Sequence, residues 1–74
     1  MKWGVETKVN KARGIVELSI EKIYENSPFR EYHSPDYDMT FWDTHDEAVA
    51  NLNQCQASWQ RHWQGEYEIR VNPG

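Results

Sequence analysis

The sequence predicts an α+β fold: a single small domain in which one helix covers one face of a four-stranded, mostly antiparallel sheet. Three observations predict it. Four segments alternate apolar and polar residues with a period of two, residues 48–63 repeat apolar residues every three or four, and 74 residues are too few for a second domain. The expected order is β-β-loop-β-α-β, with residues 1–74 forming one domain.

In residues 3–9, Trp3, Val5, Thr7 and Val9 share one face and Gly4, Glu6 and Lys8 the other, as in a half-buried strand. Asn10-Lys11-Ala12-Arg13-Gly14 reads as a hairpin loop, with Gly14 free to take positive φ. Beyond it Val16, Leu18 and Ile20 oppose Glu17, Ser19 and Glu21. At Lys22-Ile23-Tyr24 the phase becomes ambiguous, and a β-bulge accounts for it.

Pro28 and Pro35 interrupt residues 26–36, because neither can donate to a ladder; this is a long connection carrying Phe29, Tyr32 and His33. Residues 37–42 resume alternation, with Tyr37, Met39 and Phe41 expected inward and Trp42 outward. Thr44-His45-Asp46-Glu47 has the form of a capping box, in which the Thr44 hydroxyl and the Glu47 carboxylate satisfy each other's amides.

The helix is expected to run to about Gln64 and stop at Gly65, with Ala48, Val49, Leu52, Cys55, Trp59 and Trp63 as its apolar stripe. Residues 66–72 form the last strand, with Tyr67, Ile69 and Val71 inward, before Pro73-Gly74. If the strands flanking the helix run parallel, they make a crossover unit. The sheet face away from the helix is expected to stay wet, because every strand alternates.

Several chemistries lack their residues. The lone Cys55 excludes an internal disulfide, lies on the apolar stripe, and suits a cytoplasmic protein. From the N-terminal residues no leader is expected, and no stretch is apolar enough for a membrane helix. His33, His45 and His62 show no metal-ligand spacing, no Gly-rich loop precedes a helix, and no Gly-x-Ser-x-Gly turn occurs. Neither a cofactor, a metal nor catalysis is expected.

Binding remains. Net charge is −4, and between Glu31 and Gln60 there are six acids and no Lys or Arg. Such a segment repels phosphate and attracts basic surfaces, so direct nucleic-acid binding is not the expectation. On the open sheet face Glu17, Glu21, Glu66, Glu68 and Glu6 add to the negative field, partly offset by Lys8 and Arg70. Capping explains Asp43, Asp46 and Glu47, and turn chemistry is the bland account of Asp36.

Exposed aromatics are the second feature: Trp42 at the wet face, and Tyr32 in the proline-flanked segment. Candidate partner-binding residues are therefore Glu17, Glu21, Tyr32, Asp36, Asp38 and Trp42. A single-strand nucleic-acid module stacking bases on Trp42 and Tyr37, with Lys11 and Arg13 on phosphates, is a rival reading. A homodimer formed through the Asn- and Gln-rich helix face (Asn51, Asn53, Gln54, Ser58, Gln60) is another.

The alternating hairpin, the strand running into a capped helix at Phe41-Trp42-Asp43-Thr44-His45-Asp46-Glu47-Ala48, and the closing strand at residues 67–71 together resemble the small phage-encoded anti-CRISPR inhibitors in layout, length and charge. That resemblance implies a protein of the host cytoplasm that occupies a basic, nucleic-acid-binding surface of a CRISPR effector or similar complex, with carboxylates standing in for phosphates. It assigns no residue a role.

Overall fold

The computed structural model describes residues 1–63 and 65–72. Strand β1 (Lys2–Asn10) pairs antiparallel with β2 (Ile15–Ile23), then a two-residue β3 (Tyr32–His33) and β4 (Tyr37–Trp42) precede helix α1 (His45–His62) and β5 (Glu68–Asn72). The sheet order is β3-β4-β1-β2-β5. The sheet thus has five strands rather than the four expected, because residues inside the proline-flanked connection pair with β4.

Three of the four strand pairs are antiparallel and β2–β5 is parallel. Since β1 runs against both β4 and β2, strands β4 and β5 run the same way, and α1 links them as the crossover expected. Gly14 takes φ 66°, turning the hairpin, while the Asn10 side chain accepts from the Arg13 amide at 3.1 Å. Gly65 takes φ 80° beyond α1. The expected helix end at Gln64 and chain end at Pro73-Gly74 lie outside the described residues.

Val5, Val16, Leu18 and Ile20 from the sheet meet Ala48 and Leu52 of α1, all at most 5 % exposed. Each large aliphatic side chain so buried contributes on the order of 1.5–3 kcal/mol. Around them Trp3, Val9, Trp42, Val49, Cys55, Trp59, Tyr67 and Ile69 are partly buried. At the N-cap, Thr44 Oγ1 accepts from the Glu47 amide at 3.2 Å and donates to Glu47 Oε1 at 2.9 Å. The Glu47 carboxylate therefore closes on the hydroxyl, not on the Thr44 amide.

Two expectations about side-chain direction are corrected. The β1–β2 register is unbroken from Lys2↔Ile23 to Asn10↔Ile15, so no bulge occurs. Ile23 simply buries on the face away from α1, at 7 % exposure, and Tyr24 is left exposed. Strand β4 is inverted relative to its expected phase: Trp42 pairs with Trp3 and Thr40 with Val5 on the helix side. Tyr37, Met39 and Phe41 lie on the helix-free side.

The reason for that inversion is a second, smaller apolar layer. Met39 is wholly buried without any help from the helix, next to Ile23 and the bare backbone of Gly4. A methyl group on Gly4 would sit 2.8 Å from Met39 Sδ and 3.0 Å from Ile23 Cδ1. Glycine at this position gives Met39 its room. The helix-free face is consequently not wet throughout.

Candidate functional site

Register places three rows of side chains across the helix-free face. Tyr32, Met39, Glu6, Ser19 and Asn72 form the middle row; Tyr37, Lys8, Glu17 and Arg70 lie on one side of it; Phe41, Gly4 and Glu21 lie on the other. Glu6 stands at the centre, on the middle strand, and is only 5 % exposed. A buried carboxylate must be hydrogen-bonded or paired to be tolerated. Tyr37 Oη donates to Glu6 Oε2 at 2.6 Å, Ser19 Oγ donates to Oε1 at 3.4 Å, and Lys8 Nζ lies 3.6 Å from Oε1.

Beside this carboxylate an open pocket of about 220 Å³ is lined by Glu6, Lys8, Glu17, Ser19, Glu21 and Arg70. Arg70 Nε donates to Glu68 Oε2 at 2.7 Å. Glu17 and Glu21 make no ion pair among the described residues and project their charge into the pocket. The field is felt across the face. Partial burial, the hydrogen bond to Glu6, and the negative charges of Glu6 and Glu21 together push the Tyr37 phenol up to about 12. The phenol therefore stays a donor through the physiological range.

The six residues singled out in the sequence do not form one surface. Glu17 and Glu21 are on β2 at the pocket. Tyr32, 56 % exposed, shares their face but stands two strands beyond Glu6, its ring 6.1 Å from that of Tyr37. Asp36 sits in the turn between β3 and β4 and faces Lys11 Nζ at 3.7 Å. Asp38 points to the helix side, where it accepts from His33 Nδ1. Trp42 is half-buried against the core, with its Nε1 donating to Thr40 Oγ1 at 2.9 Å.

Trp42 is thus a packing residue and not the exposed anchor expected. Trp42 and Tyr37 also lie on opposite faces of β4, which removes the shared stacking platform of the nucleic-acid reading. The base-free acidic middle is met by cations from elsewhere, Lys11 at Asp36 and Lys2 at Asp43, the latter 3.7 Å apart. Exposed pairs of this kind contribute little stability but cancel local field. Asn51, assigned to the solvent face of the helix, instead accepts from Thr40 Oγ1 at 3.4 Å.

Glu6 and Tyr37 are the residues of this face that the sequence pattern does not single out. Glu6 sits at a polar position of an alternating strand, like the open-face acids, and only the sheet register brings Tyr37 and Ser19 to it. Cys55 is half-buried, and burial followed by the Asp38 charge raises its thiol pKa, which disfavours the thiolate. Among the described residues no group of three or more His, Cys, Asp or Glu could hold a metal ion, and no helix is long and apolar enough to cross a membrane. No protein-family model, curated protein sequence or solved structure matches the chain.

Proposed function

We propose that this protein is a non-catalytic binding module that docks a cationic segment of another protein on the helix-free face. One observation carries the reading: among the described residues Glu17 and Glu21 form no ion pair, and they stand beside the buried, already satisfied Glu6 carboxylate on the face that the helix leaves open. A partner's Arg or Lys would supply the missing countercharge. The exposed ring of Tyr32 on the same face offers apolar area at the rim.

Asp36, Asp38 and Trp42 contribute by holding the turn, the sheet margin and the core rather than by touching the partner. The narrower reading, an anti-CRISPR-type inhibitor in a host cytoplasm that covers a nucleic-acid-binding surface, is supported by the net acidic charge of −4. It predicts that nucleic acid and this protein compete for the partner.

The docking face is tested by titrating isotope-labelled protein with a short oligoarginine peptide at low salt and following amide shifts. Shifts centred on Glu6, Glu17, Glu21 and Tyr37 are expected, weakening steeply with added salt. Glu17→Lys combined with Glu21→Lys abolishes them. Shifts confined to Asp43, Asp46 and Glu47 at the helix start would move the site elsewhere and sink this assignment.

A further inference from the structure

The sheet ends on one side in β3, two residues long, and on the other in β5, five residues long. The Glu68 amide donates to the Gly14 carbonyl at 2.7 Å, so Glu68 faces β2, and by alternation so do the peptide groups of Arg70 and Asn72. The N–H and C=O groups of Ile69 and Val71 therefore point away from the sheet. Among the described residues no strand pairs with them. Long unpaired edges are ready templates for another strand.

The side chains along this edge are apolar on the helix side and charged on the other. Val71 is 37 % exposed and Trp63 43 %, next to Tyr67, whose ring touches those of Trp59 and Trp63 at 5.4 and 5.5 Å. On the helix-free side Glu68 and Arg70 sit two residues apart with opposite charge. The chain as a whole carries −4 and repels its copies, but this edge is locally neutral.

We infer that β5 pairs antiparallel with β5 of a second copy of this chain, about a two-fold axis at Ile69, to give a continuous ten-stranded sheet. In that register Ile69 exchanges two hydrogen bonds with the partner's Ile69, and Val71 pairs with the partner's Tyr67. The intervening position sets Glu68 directly opposite the partner's Arg70, and Arg70 opposite the partner's Glu68. Side chains at such positions approach within about 4.5–5.5 Å between Cβ atoms, so the two ion pairs extend across the axis.

The neighbouring registers are worse for stated reasons. An axis at Arg70 would place two like charges face to face. An axis at Val71 would bring Ile69 opposite residue 73, a proline with no N–H to give. The chosen register also covers Val71 and Trp63, the two exposed apolar side chains beside the edge.

The test is sedimentation equilibrium on the full chain between about 1 μM and 1 mM, with circular dichroism to verify folding. A dimer is expected. Val71→Pro removes one outward N–H and leaves the β2 ladder intact, and should weaken association at least about tenfold. Glu68→Arg should weaken it by a similar factor, and Glu68→Arg with Arg70→Glu should restore it to within about threefold. A wild-type chain that is monomeric throughout, a dimer indifferent to Val71→Pro, or a charge swap that folds yet fails to restore association would each overturn the pairing. Glu17 and Glu21 are on β2, and Arg70 of this edge lines their pocket. The two readings are therefore told apart by Glu17→Lys with Glu21→Lys, which should abolish the oligoarginine shifts and leave the dimer in place.

Discussion

The two faces of the sheet are built from the same strands and put to different uses. On the helix side Val5, Val16, Leu18 and Ile20 close on Ala48 and Leu52 with few polar atoms among them. On the other side Met39, Ile23 and Gly4 make a small dry layer at one end. The remainder is a polar network around Glu6, opening into a charged pocket. Burial on the first face supplies most of the folding free energy. The second can then hold a desolvated carboxylate, a costly group that no folding argument requires. That separation is what identifies the helix-free face as the place to look for function.

The sharpest way to break the comparison is to remove volume from each side. Leu18→Ala, on the helix face, should cost about 3 kcal/mol in denaturant unfolding, and in a domain this small it will unfold a large fraction of the protein at 37 °C. Met39→Ala should cost about 2 kcal/mol, since Met39 is equally buried but surrounded by fewer apolar groups. A Met39→Ala cost below about 0.5 kcal/mol would mean that the helix-free face has no packed layer at all.

Next in size is Glu6. Glu6→Ala leaves the Tyr37 and Ser19 hydroxyls without their acceptor and should cost about 1–2 kcal/mol. Glu6→Gln keeps an acceptor of the same shape, and its loss should stay under about 1 kcal/mol. In that variant the Tyr37 phenol moves down from about 12, because the Glu6 charge is gone while burial, the largest cause of the raised value, remains. Spectrophotometric titration of the tyrosinates measures this directly.

Much of this architecture was readable from the chain, for reasons local to each segment. The hairpin follows from Gly14 and the alternation on either side of it, and α1 from its cap and its Ala48–Leu52 stripe. The crossover is legible only on the condition that β4 and β5 run parallel, and the pairings through β1 and β2 supply that condition. What misled was β4, where Tyr37, Met39 and Phe41 outweigh Thr40 and Trp42 in apolar content and so were expected beneath the helix. Periodicity shows that two faces differ but not which one meets the helix. The deciding contact, Met39 over Gly4, joins residues 35 positions apart in sequence. The short β3 was hidden for a similar reason: only pairing with Met39 and Asp38 makes Tyr32 and His33 a strand. The exposed position expected of Trp42 failed with the phase of β4, while Glu17 and Glu21 came out at the pocket because the β1–β2 register is fixed by a tight loop.

Tyr37 also gives a pH test that separates the two faces. Its pKa is raised in the folded protein, from 10 to about 12, so folding favours the protonated phenol. That contribution is fully present below pH 10 and is lost as the pH climbs from 10 to 12. Stability of the wild-type chain should therefore fall across this window more than that of Tyr37→Phe, which lacks the group. Equal slopes would show that the phenol is not held by Glu6 in solution.

The smallest effect expected is also the most specific to recognition. Glu17→Gln and Glu21→Gln remove charges that form no ion pair among the described residues, and exposed changes of this sort should alter stability by no more than about 0.5 kcal/mol. Yet Glu21 is one of the charges that raise the Tyr37 pKa, whereas Glu17 is not among them. Neutralising Glu21 should lower the phenol's titration point slightly, and neutralising Glu17 should leave it in place. Stability nearly unchanged with a shifted phenol for one variant alone would show that the acids shape the field over the pocket without holding the fold together. A loss of more than about 1 kcal/mol from either would instead make them structural, and the helix-free face would then be a second half of the scaffold and not a place kept open for a partner.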